Sequence, residues 1–242
     1  MLTRPAPSHH PSSTKPIAFY YGDGKLPELA TYQRVVLQPD FYTPEHLAWL
    51  KGKGVMTLGY LSMSEDTGPE APWQRKERNP DWGGAFVRVS HPDWTDHVLK
   101  QAQSALNKGF DGLFLDTLDI EWFFPEELPH LLMLIATLRE TTRPAYLMAN
   151  RGFRLLPRLA HLVDGHLFES FSVRWTPEGT HEAWPREILQ DHAQIAENLL
   201  QTDLELFALD YCDTPELEAF ARERALRYGM HSFISNRELG RV

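Results

Sequence analysis

Short apolar segments alternate with longer segments of mixed polarity along this chain of 242 residues. Each apolar segment is five to seven residues long, which is too short for a helix but suits a strand covered on both faces. Turn-forming residues such as Gly22 and Pro39 follow them. The pattern therefore predicts eight buried strands, at residues 17–21, 34–38, 55–61, 112–116, 144–149, 163–169, 204–210 and 231–236.

The segments between these strands carry the periodicity and the start signals of helices. Thr43 and Thr214 are each followed by proline and glutamate, which is typical of an N-cap and a first helical turn. Helices are predicted to start near residues 43, 91, 125, 155, 184 and 214. Strands that alternate with helices indicate an α/β protein, and eight of them predict a (β/α)8 TIM barrel. An open doubly wound sheet is the alternative, but the chain lacks its glycine fingerprint.

One long interval interrupts this alternation directly after the third predicted strand. Residues 62–96 contain polar, loop-like stretches and one short apolar run at 85–89. A long irregular segment inside a compact domain is usually a functional loop. Trp73 and Trp82 stand in it, and an indole face stacks well on a sugar ring, although either ring also serves to pack a loop down. We predict a single domain at residues 16–242 with a long loop after strand 3, in which Trp73 binds substrate.

Composition limits the choice of partners. The chain holds 24 Lys and Arg against 33 Asp and Glu, a formal charge of −9 with its 11 histidines neutral. Nucleic acid needs clustered basic residues, so this balance argues against it and favours a neutral or cationic ligand. Cys212 is the only cysteine, which excludes an intramolecular disulfide and a cysteine-based zinc site. No apolar run approaches the roughly 18 residues of a membrane span.

The first residues of the chain differ in character from the rest. Residues 1–15 are rich in proline, serine and histidine and lack the apolar core of a signal peptide. We predict a disordered lead-in there. The sequence as written therefore places the protein inside the cell, unless an export signal has been removed or replaced.

Polar residues follow the apolar runs at the strand ends where a barrel carries its active site. Asp116 ends the fourth strand and Glu169 the sixth, so their carboxylates are predicted to converge across the barrel mouth. Two carboxyl groups at one bond supply the nucleophile or base and the proton donor of glycosidic cleavage. Acidic rim residues also serve as caps and ion-pair partners, which is the alternative. The predicted substrate-binding residues around the pair are Tyr21, Tyr60, Ser62, Asp119, Asn150, Asp210, Asn236 and Trp175.

Four segments of the chain resemble glycoside hydrolase family 114, the endo-α-1,4-polygalactosaminidase-like family. The resemblance covers most of the chain, and the segment at strand 4 is its most specific part. The similar segments are Tyr20-Tyr21-Gly22 at strand 1, Gly59-Tyr60-Leu61-Ser62 with Glu65 at strand 3, residues 109–116 at strand 4 and Glu169-Ser170 at strand 6.

The resemblance implies a (β/α)8 hydrolase that cleaves within α-1,4-linked galactosamine-containing polysaccharide, with Asp116 and Glu169 as its acidic pair. By analogy with α-galactosidase-like barrels, it implies Asp116 as the nucleophile and Glu169 as the acid/base of a retaining, endo-acting enzyme. An acidic protein suits a partly deacetylated, cationic substrate, and we expect a monomer without metal or cofactor. Enzymes of this kind are usually exported, which contrasts with the missing signal.

Two other functions fit the same residues. A non-catalytic carbohydrate-binding TIM barrel would use the aromatic rim and the acidic residues only to hold sugar. A metal-dependent lyase or aldolase on the same fold would lose its activity to chelators. Measurements of cleavage and binding with a chelator present separate the three functions.

Overall fold

Eight parallel strands form one continuous sheet in chain order in the computed structural model, which describes residues 15–242. Each strand pairs in parallel with the next one. The last strand lies beside the first, so the sheet curls into a nearly closed barrel, and the predicted (β/α)8 fold is confirmed. The strands are β1 (Lys15–Tyr20), β2 (Tyr32–Leu37), β3 (Met56–Ser62), β4 (Gly112–Asp116), β5 (Tyr146–Asn150), β6 (Gly165–Glu169), β7 (Glu205–Tyr211) and β8 (His231–Ser235).

The longer helices connect these strands and begin where the sequence predicts them. Thr43 accepts a hydrogen bond from the backbone N–H of His46, and Thr214 accepts one from that of Leu217, as expected of N-caps. No helix within residues 15–242 is long and apolar enough to cross a bilayer. The helices are α1 (Pro44–Gly52), α2 (Pro92–Lys108), α3 (Leu128–Thr142), α4 (Arg186–Leu199) and α5 (Pro215–Arg227).

Some connections are shorter or less regular than predicted. The helix expected at residues 155–161 is replaced by two 3-10 turns, Phe153–Leu155 and Arg158–His161. Pro157 lies between them, and its missing N–H prevents a continuous helix. A four-residue helix, Leu26–Leu29, and further 3-10 turns at Pro39–Phe41, Ile120–Trp122 and Pro125–Glu127 complete the connections.

The interval after β3 is more ordered than the sequence predicts. It contains a three-stranded antiparallel sheet formed by Glu65–Asp66, Gln74–Arg78 and Ala85–Val87. The strand Gln74–Arg78 was predicted as loop because its charged run shows no apolar alternation, and three of its side chains are indeed exposed. An antiparallel hairpin after β6, Val173–Trp175 with His181–Ala183, was not predicted. Of the predicted lead-in, residues 1–14 lie outside the described residues, and Lys15 already belongs to β1.

Side-chain alternation along each strand decides which residues enter the barrel. On β7, Phe207, Leu209 and Tyr211 belong to the main core. Leu206 and Ala208, which alternate with them, pack in a separate outer cluster. Successive side chains of a strand point to opposite faces, so the parity of a strand-end residue determines whether it reaches the barrel mouth.

Among the glycines, Gly112 leaves the least room for a side chain. A Cβ there would lie 2.1 Å from the backbone oxygen of Tyr146 and 2.9 Å from Cδ2 of Leu58. We expect Gly112→Ala to lower the free energy of unfolding by about 3 kcal/mol, since neither neighbouring strand has room to move. Denaturant unfolding measures the change, with Gly52→Ala as control because nothing lies within 4 Å of that position. Equal stability of the two variants would contradict this account.

Candidate active site

An open cleft of about 460 Å³ lies at the carboxyl ends of the barrel strands. β1, β3, β4, β5, β6 and β7 all send side chains into it. It is therefore in the position where a barrel of this kind carries its active site. The predicted site residues that line it are Tyr21, Tyr60, Ser62, Asp116, Asp119, Asn150 and Glu169.

The two predicted catalytic carboxylates share one hydrogen-bond donor. Asn150 Nδ2 donates to Asp116 Oδ1 at 2.8 Å and to Glu169 Oε2 at 2.6 Å. Because both bonds start from the same nitrogen, the two accepting oxygens are no further apart than the sum of these distances, about 5.4 Å. Asn150 at the end of β5, the strand between β4 and β6, thus holds the two carboxylates at a fixed, close separation.

Tyrosine hydroxyls surround the pair on its other sides. Tyr211 at the end of β7 donates to Glu169 Oε1 at 2.5 Å. The rings of Tyr21 and Tyr60 pack edge to face, with 5.3 Å between their centroids. Burial, followed by the charge of Asp116, raises the pKa of both hydroxyls well above the usual value, so they stay protonated as donors.

Glu169 has the properties of a proton donor. Burial raises the pKa of its carboxyl group, and the nearby charge of Asp116 raises it further. The hydrogen bonds from Tyr211 and Asn150 and the charge of Arg151 act in the opposite direction but do not cancel the rise. Two neighbouring carboxylates in unlike environments separate into an acid and a base in this way.

The residue after each central site residue has a left-handed backbone. Thr117 follows Asp116 with φ 62°, Arg151 follows Asn150 with φ 55°, and Ser170 follows Glu169 with φ 54°. Such values are strained for side chains with a Cβ, most of all for a β-branched threonine. Hydrogen bonds hold Thr117 in place, because its Oγ1 accepts from the N–H groups of Met63 and Ser64 at 3.0 and 2.9 Å. The backbone turns sharply at the end of β4, β5 and β6.

Asp119 has a structural partner in the cleft. Its carboxylate forms an ion pair with the Arg151 guanidinium and accepts from the N–H of Gly152 at 2.8 Å. Arg151 Nη1 in turn donates to the backbone oxygen of Glu169 at 3.0 Å. Asp119 therefore fixes the turn after β5, and through Arg151 it supports the end of β6.

A third carboxylate, Glu65, faces the same cleft and was not predicted as a site residue. Burial and the charge of Asp116 raise its pKa, although a hydrogen bond from Asn79 opposes the rise. Within residues 15–242, none of Glu65, Asp116 and Glu169 forms an ion pair. Within the described residues, the centre of the cleft therefore holds three carboxyl groups that no cation pairs with.

Two residues predicted to bind substrate are placed elsewhere. Asp210 is fully buried, and its Oδ1 accepts from the N–H groups of Ser172 and Val173 at 2.7 and 2.9 Å. Burial raises its pKa to about 6. Asn236 Oδ1 accepts from the N–H groups of Gly240 and Arg241, at 3.0 and 3.1 Å. β7 continues to Tyr211 and β8 stops at Ser235, so by strand parity neither predicted residue points into the barrel mouth.

Trp73 packs within the protein, whereas Trp82 and Trp175 lie in or beside the cleft. Trp73 donates its indole N–H to Asp66 Oδ2 at 2.7 Å and packs on Trp94, with 6.0 Å between their ring centroids. It holds the loop down and does not line the cleft. Trp82 does line it, with 61% of its surface exposed. Trp175 lies at the edge of the cleft, where its ring and that of Trp82 contact the Arg237 guanidinium at 5.2 and 5.0 Å.

Ser62 lines the cleft but also has a structural task. Its hydroxyl donates to the backbone oxygen of Glu65 at 2.7 Å and lies 3.1 Å from Thr117 Oγ1. It ties the end of β3 to the start of the following loop. The sequence places Ser62 at the end of a strand but does not show which groups its hydroxyl contacts.

Tyr211 offers a test of how the pKa of Glu169 is set. Its hydrogen bond favours the ionised carboxylate, so Tyr211→Phe should raise the pKa of Glu169 further. If Glu169 acts as the acid, the alkaline limb of the pH–rate profile should move upward by roughly one pH unit. Tyr228→Phe, remote from the cleft, serves as control. An unchanged alkaline limb would show that another group controls it.

The barrel, the strand-end carboxylate pair and the open cleft together are those of a TIM-barrel glycoside hydrolase. The chain belongs to glycoside hydrolase family GH114, whose family profile matches residues 27–242. It is 25% identical to an uncharacterised protein of Deinococcus radiodurans, over 92% of this chain and 79% of that protein.

Two solved structures show the same fold. The glycoside hydrolase domain of PelA from Pseudomonas aeruginosa has a TM-score of 0.84 and 28% identity, covering 94% of this chain and 96% of that one. Ega3 from Aspergillus fumigatus, solved in complex with galactosamine, has a TM-score of 0.74 and 12% identity, covering 98% of this chain and 97% of that one. The resemblance to family 114 and the predicted enzyme class are thus confirmed.

Proposed function

We propose that this enzyme cleaves α-1,4-linked galactosamine-containing polysaccharide internally and with retention of the anomeric configuration. The observation that carries the proposal is the shared hydrogen bonding of Asp116 and Glu169, which keeps Asp116 Oδ1 and Glu169 Oε2 no further apart than about 5.4 Å. Retaining glycosidases hold their two carboxyl groups about 5–5.5 Å apart, whereas inverting enzymes leave more space for a water molecule.

Galactosamine as the substrate sugar is supported from two directions. The structural neighbour Ega3 was solved with galactosamine, and the PelA domain is a glycoside hydrolase. Within residues 15–242, the cleft lining also includes four acidic residues without ion-pair partners, Glu65, Asp116, Glu169 and Glu238. Such an excess of acidic groups attracts a sugar with a free, protonated amine even when Glu169 is protonated. We therefore propose a partly deacetylated, cationic polymer as substrate and a monomeric enzyme that acts on it.

The proposed mechanism assigns one role to each carboxylate. Asp116 attacks the anomeric carbon and forms a glycosyl-enzyme bond, while Glu169 donates its proton to the departing glycosidic oxygen. Glu169, now ionised, takes a proton from water, and the resulting hydroxide displaces Asp116 from the sugar. Asn150 holds both carboxylates in place throughout, and Tyr211 stabilises the ionised form of Glu169.

Release of reducing ends from partly deacetylated α-1,4-galactosaminan, with chelator present, tests the function. We expect the wild-type enzyme to release them and the first product to have the α configuration by NMR. Light scattering measures whether the active species is a monomer. Binding without any release would support a carbohydrate-binding barrel, and an initial β product would exclude retention.

A further inference from the structure

Glu65 stands at the junction of two cavities. It lines the catalytic cleft, and it also lines a neighbouring cavity of about 270 Å³ that extends toward α2. Tyr60 and Ser62 also line both cavities, so the two cavities share a wall at this point. Glu65 and Asp116 line the same cleft, so a ligand bound over Asp116 lies near Glu65.

Hydrogen bonds fix the position of Glu65. Its backbone N–H donates to Ser62 Oγ at 3.3 Å, and its backbone oxygen accepts from the same hydroxyl at 2.7 Å. Asn79 Nδ2 donates to Oε1 at 2.8 Å. No hydrogen bond to Oε2 is formed within residues 15–242. One carboxylate oxygen is thus anchored while the other is left for a ligand.

The same asparagine positions an aromatic ring. Asn79 Oδ1 accepts from the N–H groups of Asp81 and Trp82 at 2.9 and 3.3 Å, which shapes the turn that presents Trp82 to the cleft. The Arg237 guanidinium lies over this indole at 5.0 Å and pairs with Asp81 at 3.4 Å. The carboxylate of Glu65 and the exposed indole of Trp82 are therefore parts of one rigid unit organised by Asn79.

We propose that Glu65 and Trp82 form a binding subsite for a protonated amino sugar, separate from the carboxylate pair that performs cleavage. Trp82 provides a flat apolar surface for the sugar ring, and Glu65 Oε2 accepts hydrogen bonds from the ammonium group. This inference rests on the proposed function, because it explains how the enzyme distinguishes a deacetylated sugar from its N-acetylated form. An N-acetyl group has no charge and therefore gains nothing from the carboxylate.

Binding to a catalytically inactive enzyme tests the subsite directly. In an Asp116→Asn background, affinities are measured by calorimetry for α-1,4-linked galactosamine oligomers that are fully deacetylated or fully N-acetylated. We expect Glu65→Gln to weaken binding of the deacetylated oligomer by about tenfold, the size of one charge-assisted contact, and to leave the N-acetylated one unchanged. Trp82→Ala should weaken both oligomers to a similar degree.

Glu77→Gln is the matched control. Glu77 is exposed on the same three-stranded sheet and does not line the cleft, and the substitution removes the same charge. We expect it to change neither affinity. Equal losses for both oligomers in Glu65→Gln, or no loss for either, would overturn the subsite. If the wild-type enzyme cleaves galactosaminan while this discrimination is absent, only the subsite fails; if the wild type cleaves nothing, the proposed function fails.

Discussion

Replacing Asp116 with asparagine should lower the rate of galactosaminan cleavage by about 10³-fold or more, which corresponds to a barrier about 4 kcal/mol higher. Asparagine keeps the size of the side chain but cannot form the glycosyl-enzyme bond. In the variant, Asn150 can still donate hydrogen bonds to the side-chain oxygen at position 116 and to Glu169, so the geometry around Glu169 should be preserved. Reducing-end assays at saturating substrate measure the loss.

The Asp116→Asn variant should remain folded. The charge of Asp116 raises the pKa of both Glu169 and Glu65, which shows that it disfavours their ionised forms. Removal of that charge is therefore expected to leave the melting temperature unchanged or raise it slightly. A loss of activity in a folded variant then reflects chemistry. Retention of most of the cleavage activity by Asp116→Asn would remove this residue from the nucleophile position.

Replacing Glu169 with glutamine should reduce cleavage of the polymer by about 10²–10⁴-fold, the usual contribution of general acid catalysis. The loss should be much smaller on an aryl α-galactosaminide with a good leaving group, since bond cleavage there needs no proton. This difference between substrates separates the roles of the two carboxylates. Equal losses on both substrates would argue against Glu169 as the acid.

The pH dependence of the wild-type enzyme follows from the same residue. As the proposed acid, Glu169 has to be protonated at the start, so the rate should fall as the pH rises through its pKa, which burial and Asp116 raise. Because the folded state binds this proton more tightly than the unfolded chain, Glu169 favours folding at low pH and loses that contribution as the pH rises through the raised pKa. Glu169→Gln should therefore be more thermostable than the wild type at neutral pH, as a melting curve would show.

The barrel and the polar residues at its mouth could be predicted because both depend on local patterns. Each strand is a short apolar run closed by turn-forming residues, and the site lies at a known end of such strands. Asp116 and Glu169 were found as the polar residues that end β4 and β6. The cleft lining includes both of them and the predicted Asn150 between them.

Asp210 and Asn236 were predicted at the rim of the cleft because the alternation of side chains along β7 and β8 was assigned incorrectly. An apolar run does not show where its strand ends, and an error of one residue reverses which side chain enters the barrel. Asp210 was chosen over Tyr211 for that reason, and Asn236 was chosen although β8 ends one residue earlier. Residues 206–209 are apolar at every position, so the sequence shows no alternation that would point to Tyr211.

The choice between the loop tryptophans depended on tertiary contacts. Trp73 pairs with an aspartate and an aromatic cluster contributed by α2, which local sequence does not show. Trp82 lies between Asn79-Pro80-Asp81 and a glycine pair, a composition typical of a loop tip. That composition favours an exposed, ligand-facing position for Trp82. Glu65 belongs to one of the segments that resemble the family, but only the fold shows that it lies in the cleft with Asp116.

The two ends of the barrel chain have different neighbours. The chain enters the barrel at Lys15, on the face opposite the cleft, whereas Arg237, Glu238 and Leu239 near its other end line the cleft itself. An affinity tag or fusion partner joined after Val242 would therefore stand beside incoming polysaccharide. Attachment at Lys15, on the face opposite the cleft, leaves the cleft open, which makes it the better orientation for surface-based binding measurements and for attachment of the enzyme to a solid support.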